Sequence, residues 1–303
     1  MKNLLDQALD FNNLVVAWET VEENRGIAGV DNISVKRWRR NWEERIHNLT
    51  IDVYKGQYQA KALRIRKIPK KRFRERRVLQ IPTVTDRVLQ RAVLQILYPI
   101  YEPLFLNCSF GYRPGVGLKD AVQKILDMRE KYPWVLDADI DDFFGNLDHI
   151  LLIRFLTDDL PDDSLFPLFH QWLQKMNYQQ DGMKGVPIGS PISPLFANLY
   201  LHRMDANILE LGYQLVRYAD DFCIFLKTQK QAEKAFCDCQ SILKTLKLRY
   251  EPTKTQITKF EQGFNFIGVS FKGDHYEYIC QQKKIVVEGN EVDSLFNDYG
   301  PDY

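Results

Sequence analysis

The stretch Leu215-Val216-Arg217-Tyr218-Ala219-Asp220-Asp221-Phe222-Cys223-Ile224-Phe225 sets Ala219-Asp220-Asp221 between two β-rich runs. This pattern predicts a hairpin whose tight turn carries two carboxylates. Upstream, Trp134-Val135-Leu136-Asp137-Ala138-Asp139-Ile140 reads as another strand, with Asp139 near its end. The apolar flanks press these carboxylates toward the core side of a sheet edge. Unpaired buried carboxylates cost several kcal/mol each, so they call for a cation. Hard oxygen donors at one edge suit Mg²⁺, which keeps waters and takes further ligands from phosphate. Two such ions, about 4 Å apart, would hold the attacking and leaving oxygens of an in-line phosphoryl transfer. An isolated Asp-Asp pair is also an ordinary exposed turn, so the neighbouring segments decide.

Residues 3–20 carry Leu4, Leu5, Ala8, Phe11, Leu14, Val15 and Trp18 at helical spacing, which predicts one amphipathic helix. Ser34 is placed to cap a second helix, with Trp38, Trp42 and Ile46 on one face. Residues 62–82 read as an extended hairpin. Thr85 reads as the cap of a helix that Pro99 ends. Further helices are expected over 117–130, from Asp148, over 163–175, from Ser193-Pro194 and over 229–246. Strands are expected near 248–251, 264–271 and 276–288. Strand and helix alternate too irregularly for a doubly wound parallel sheet. A mixed sheet backed by helices, an α+β fold, is expected.

The chain has 303 residues, 45% hydrophobic and 27% charged, which excludes a disordered or collagen-like protein. That length buries a core without disulfide or metal staples. No apolar run approaches the roughly 20 residues of a membrane span, and Met1-Lys2-Asn3-Leu4-Leu5-Asp6 is no signal peptide. Five cysteines without a zinc spacing read as reduced structural thiols in a cytoplasmic protein. The net charge of +1 conceals a basic strip: residues 61–77 hold ten basic side chains and one acid. Such a strip is either a solvated face or a site for a polyanion.

Tyr218-Ala219-Asp220-Asp221 resembles the Y-x-D-D box of reverse transcriptases, and Ala138 to His149 resembles the segment that supplies their first catalytic aspartate. Gly185 to Leu201 resembles the template- and primer-positioning motif between them. Ile68 to Lys70, Arg77 to Gln90 and Ser109 to Pro114 resemble the fingers of group II intron-type reverse transcriptases. Gly26 to Asp31 resembles the N-terminal extension of that lineage. Lys254-Thr255 and Phe264 to Phe271 resemble the last palm motifs. Each box is weak alone; their family order over residues 20–272 is specific.

The resemblance implies a right-hand fold: an N-terminal helical extension (1–55), fingers (56–115), palm (116–271) and a C-terminal hairpin (272–303). The thumb is then absent or truncated. It implies RNA-directed DNA polymerase activity, a nucleotidyl transfer, on an RNA template, a DNA or RNA primer and dNTPs. Asp139, Asp220 and Asp221 become the catalytic ligands of two Mg²⁺ ions, replaceable by Mn²⁺, with the Ile140 carbonyl as a further ligand. Phe144 matches the aromatic gate against a ribose 2′-OH. Lys70 and Arg77 match the residues that grip the triphosphate. Lys254 matches a lysine that can protonate pyrophosphate, and Gly189 falls in the nucleotide site. Arg64, Arg66, Lys67, Lys71, Arg72, Arg113, Ser193 and Pro194 are the nucleic-acid contacts it implies. Each has a plainer alternative: a core aromatic for Phe144, a surface lysine for Lys254, a solvated face for the strip.

Departures stand out. Ile188 occupies a position where many relatives have Gln, and Gly145 one where they often have Asp. The Ser193-Pro194 pair disfavours the diversity-generating class. The setting this leaves is CRISPR-associated or other antiviral defence, with spacer acquisition from RNA and an adaptation integrase as partner. The competing readings are a non-catalytic RNA- or partner-binding subunit and a template-independent nucleotidyl transferase.

Overall fold

Asp10 cuts the helical stripe expected over residues 3–20. Its side chain accepts from the Asn12 amide and starts a new helix. The computed structural model describes residues 2–69, 76–175, 183–280 and 283–292. In chain order the elements are α1 (Leu4–Ala8), α2 (Phe11–Glu23), α3 (Val35–Trp38), α4 (Trp42–Tyr54), β1 (Arg64–Pro69), β2 (Arg76–Ile81) and α5 (Val84–Tyr101). There follow α6 (Leu118–Arg129), β3 (Trp134–Asp139), α7 (Phe143–Asn146), α8 (His149–Asp159), α9 (Phe166–Lys175) and α10 (Ser193–Glu210). The chain continues with β4 (Gln214–Tyr218), β5 (Asp221–Leu226), α11 (Gln229–Thr245) and β6 (Gln256–Lys259). It closes with β7 (Phe264–Phe266), β8 (Val269–Lys272), β9 (His275–Cys280) and β10 (Lys283–Glu288). Two compact units result. One comprises Met1–Leu104 and Leu147–Ala197, the other Phe105–Asn146 and Asn198–Tyr303.

In the first unit α5 is the axis. Val84, Val88, Leu89, Ala92, Val93 and Leu97 are buried, and α1 and α2 pack on it. Thr83, not Thr85, caps α5: its Oγ1 accepts from the Asp86 amide. Thr85 accepts instead from the Trp38 indole at 3.0 Å. The helix also runs through Pro99 to Tyr101 rather than ending before it. Pro99 sits in the last turn, where a missing N–H removes one bond instead of breaking a helix interior. Buried Asp86 accepts from Tyr58 Oη at 2.7 Å, and Trp172 of α9 donates to the same Tyr58 oxygen at 3.0 Å. Strands β1 and β2 form the expected antiparallel hairpin, from Arg64 opposite Ile81 to Pro69 opposite Arg76.

The second unit carries an antiparallel sheet in the order β4-β5-β3-β6 and another in the order β10-β9-β8-β7. Side chains alternate across the first sheet. Val135, Val216, Cys223 and Phe225 join α6 residues Ala121, Val122 and Ile125 in one core. Phe264, Val269, Phe271, Tyr276 and Tyr278 of the second sheet fill the same core. Elsewhere in the unit Phe222 stacks on Tyr250, which stacks on Phe236 of α11. Residues 248–251 are not the expected strand; Tyr250 makes only an isolated bridge to Ile140. The strand beside β3 is β6, whose buried residue is a threonine, Thr258. Residues 264–271 split into β7 and β8 at Ile267 and Gly268, both with positive φ. Among the described residues no helix is long and apolar enough to cross a membrane.

Candidate active site

Strand register brings two of the three candidate acids face to face. Asp139, the last residue of β3, is paired with Asp221, the first of β5. Directly opposed residues of an antiparallel pair have Cβ atoms about 5 Å apart. The period-2 alternation that sends Val135 and Phe225 into the α6 core sends Asp139 and Asp221 to the same face, at the sheet end. Tyr218 pairs with Asp221, so Ala219-Asp220 is a two-residue loop. Its first residue, Ala219, has φ +58°, a left-handed conformation usual for such loops but disfavoured for alanine. Asp220 stands beside Asp221 in this turn.

The acids repel. Burial, then the charges of Asp220 and Asp139, push the Asp221 carboxyl up to about 8. Lys254 Nζ lies 2.9 Å from Asp139 Oδ2. Burial opposes the lysine's charge, but Asp139 together with Asp221 and Asp220 outweighs it and holds the ammonium above its ordinary range. A raised carboxyl means that the folded chain keeps a proton which the unfolded chain releases near the ordinary carboxylate range. The contribution of Asp221 to stability without divalent ions therefore falls as pH rises from about 4 to about 8. Asp221→Asn is expected to flatten this decline and to raise the melting temperature at pH 8. Mg²⁺ is expected to stabilise the parent more than the variant. Thermal melts over pH 5–9 with and without Mg²⁺ check both; parallel pH profiles for the two proteins would contradict them.

The carboxylates fit a hard cation: Asp139 and Asp221 are opposed and Asp220 is next in the turn. Among the described residues no three His, Cys, Asp or Glu side chains close into a metal cage. Mg²⁺ needs none, because it fills most of its shell with water and phosphate oxygens. The backbone beyond β3 is fixed as well. The Glu251 amide donates to the Asp139 carbonyl, the Asp141 amide donates to the Arg249 carbonyl, and Ile140 bridges Tyr250. Arg249 Nε donates to Asp141 Oδ2 at 2.7 Å.

Phe144 is half-buried in α7. Its ring meets Phe143 edge-on at 5.5 Å and Tyr112 at 6.4 Å. Fully buried Phe143 meets Tyr200 in turn. The ring is therefore both packed and part-open. Arg113 turns inward: Nη1 donates to the Leu106 and Ser109 carbonyls at 2.9 and 2.8 Å, over the Phe105 ring. It holds its own loop.

The remaining candidates belong to the first unit. Arg66 and Lys67 are exposed on β1, and half-buried Arg64 bonds Asn32. Lys70, Lys71 and Arg72 lie outside the described residues, as does the side chain of Arg77, whose backbone is in β2. Gly189 has φ +118°, and a side chain there would press on the Gln80 carbonyl at 3.3 Å. The Ile188 carbonyl accepts from the Gln80 amide, so this turn is tied to β2. Ser193 is buried at the start of α10, and Pro194 is half-buried beside it.

Two residues of the second unit escaped sequence reasoning. Arg217 is fully buried; a lone arginine in an otherwise apolar strand was the signal. Gly111 lies so close to the acid turn that a Cβ would come within 2.5 Å of the Ala219 nitrogen; nothing in the sequence marks that approach.

The family described as "Reverse transcriptase (RNA-dependent DNA polymerase)" matches residues 68–271. The group II intron-encoded protein LtrA of Lactococcus lactis subsp. cremoris is 34% identical over 180 residues, 58% of this chain and 30% of that protein. The chain thus spans under a third of that relative. Apo telomerase from Candida tropicalis shares the fold at TM-score 0.55 and 14% identity, over 76% of this chain and 52% of that one. A partial Cas6-RT-Cas1--Cas2 complex gives TM-score 0.46 and 27% identity, over 81% of this chain and 42% of that one.

Proposed function

The chain belongs to the reverse transcriptase family, and from that premise we propose that it is an RNA-directed DNA polymerase. The observation that carries this reading is the pairing of Asp139 with Asp221 across β3 and β5, with Asp220 next in the turn. A binding module has no use for three acids crowded at one sheet end. In the proposed reaction a primer 3′-OH attacks the α-phosphate of a dNTP; a new P–O bond forms as the bond to pyrophosphate breaks. Two Mg²⁺ ions held by Asp139, Asp220, Asp221 and the Ile140 carbonyl, with Mn²⁺ as a substitute, would activate that hydroxyl and neutralise charge on the phosphoryl group.

This chain's own residues do the rest. Lys254, an ammonium 2.9 Å from Asp139, would give a proton to the leaving pyrophosphate. The Phe144 ring occupies the space of a ribose 2′-OH. Lys70 and Arg77 grip the triphosphate, and Gly189 leaves room beside the nucleotide. Arg64, Arg66, Lys67, Lys71, Arg72, Ser193 and Pro194 contact template and primer, and Arg113 serves by holding its loop. Binding through such a strip should weaken steeply with salt.

The setting we infer is defence, through CRISPR spacer acquisition from RNA with an adaptation integrase as partner. Its support is the motif resemblance and the Ser193-Pro194 pair. Primer extension by the purified chain, with and without template, tests the activity. Template-dependent cDNA supports it, equal product without template indicates a terminal transferase, and no product indicates a binding subunit. Adding an adaptation integrase to the same assay tests the setting; unchanged product lengths and no co-purification would contradict it.

A further inference from the structure

Arg217, one residue before the Tyr218-Ala219-Asp220-Asp221 turn, is fully buried, and its guanidinium meets four other residues of the second unit. Nε and Nη2 donate to the two oxygens of Asp205 on α10 at 2.7 and 2.6 Å. Nη2 also donates to Ser109 Oγ at 2.7 Å, and Nη1 to Asn198 Oδ1 at 3.1 Å. The remaining bond runs from Nη1 to the Ala219 carbonyl at 2.9 Å. All five N–H groups are used. The partners come from the helix, from the loop that carries Gly111 and from the turn itself. Asn198 extends the set by donating to the Gly111 carbonyl at 2.8 Å.

Only one of these bonds touches the turn, and it falls where the turn is least stable by itself. Ala219 is left-handed, which costs an alanine about 1 kcal/mol or more. Its carbonyl belongs to the peptide that carries the Asp220 nitrogen. Rotation of that peptide would relieve the strain and swing Asp220 away. On the other flank Gly111 closes against the Ala219 nitrogen without room for a methyl group. The turn is thus held on both sides.

We propose that Arg217 is a positioning residue which locks the Ala219–Asp220 peptide so that Asp220 and Asp221 face Asp139 together. This rests on the polymerase reading for what the acids do. The planar fork is essential. A lysine retains the charge beside Asp205 but cannot reach Asp205, Asn198, Ser109 and Ala219 at once.

The test compares the parent protein with Arg217→Lys and with the double variant Arg217→Leu/Asp205→Leu. The double variant removes the buried pair as a unit, a change that cores often tolerate. Circular dichroism reports folding, and Mn²⁺ binding is measured by electron paramagnetic resonance, with Asp220→Ala as reference. Partners that hold a metal ligand in place typically change affinity about 10- to 100-fold. Both variants are expected to fold and to lose Mn²⁺ affinity in that range, with half-saturating Mg²⁺ for dNTP incorporation rising by the same factor. Folded variants with parental Mn²⁺ affinity would overturn the proposal. Failure of both to fold would also overturn it, by making Arg217 a structural residue of the core. If the parent itself binds no Mn²⁺ and makes no DNA, the polymerase reading falls instead.

Discussion

Asp220→Ala is expected to abolish Mg²⁺-dependent dNTP incorporation while leaving the protein folded, and Asp139→Ala and Asp221→Ala are expected to do the same. Removing one carboxylate from a two-metal clamp withdraws charge stabilisation where charge develops, typically about 3–4 kcal/mol of barrier or more. That corresponds to a rate loss of at least about a hundredfold. The fold should survive because Asp220 is in a two-residue loop, and Asp139 and Asp221 terminate their strands rather than fill the core. Asp221→Ala should even stabilise the chain without divalent ions, since burial and its acidic neighbours disfavour its charge. Single-turnover incorporation on folded, monodisperse variants is the measurement. Parental rates in Asp220→Ala would remove the acids from the chemistry.

Phe144→Ala is expected to admit ribonucleotides. The ring is braced edge-on by Phe143 and Tyr112, which suits the rigid gate proposed against a 2′-OH. In the proposed gate role its removal would open a side-chain-sized space beside the sugar. A steric filter of this kind is worth about 1–3 kcal/mol per small group, or about 10- to 200-fold in discrimination. The ratio of rNTP to dNTP incorporation should rise accordingly, with dNTP incorporation retained. An unchanged ratio in an active variant would assign Phe144 to packing alone.

The acid-bearing part of the fold was legible because its signals are local. β-rich apolar runs on both sides of Ala219-Asp220 leave little choice but a hairpin, and Asp139 ends a strand that is likewise rich in apolar residues. Other elements were obscured where one local signal masked another. Asp10 sits inside an unbroken apolar stripe, so its capping role shows only in its bond to the Asn12 amide. Pro99 reads as a terminator, yet close to a helix end it costs little. Strand β6 was hidden because its buried residue is polar Thr258, while β-rich Leu248 to Glu251 suggested a strand that forms only one bridge. The Arg217 network was beyond reach for another reason. Besides the nearby Ala219, its partners lie at positions 109, 198 and 205, and no spacing rule joins residues so distributed in the sequence. The family resemblance supplied roles for the basic strip that residue patterns alone left open between a solvated face and a nucleic-acid contact.

In the proposed activity the acids at the ends of β3 and β5 serve DNA synthesis under the direction of RNA. Its most direct measurement is incorporation of a single dNTP onto a DNA primer annealed to RNA templates that differ only in the first unpaired base. Each template is expected to admit mainly its complementary dNTP, with Mg²⁺ required, and Asp220→Ala is expected to admit none. Incorporation that ignores the template base, or that persists in Asp220→Ala, would contradict it.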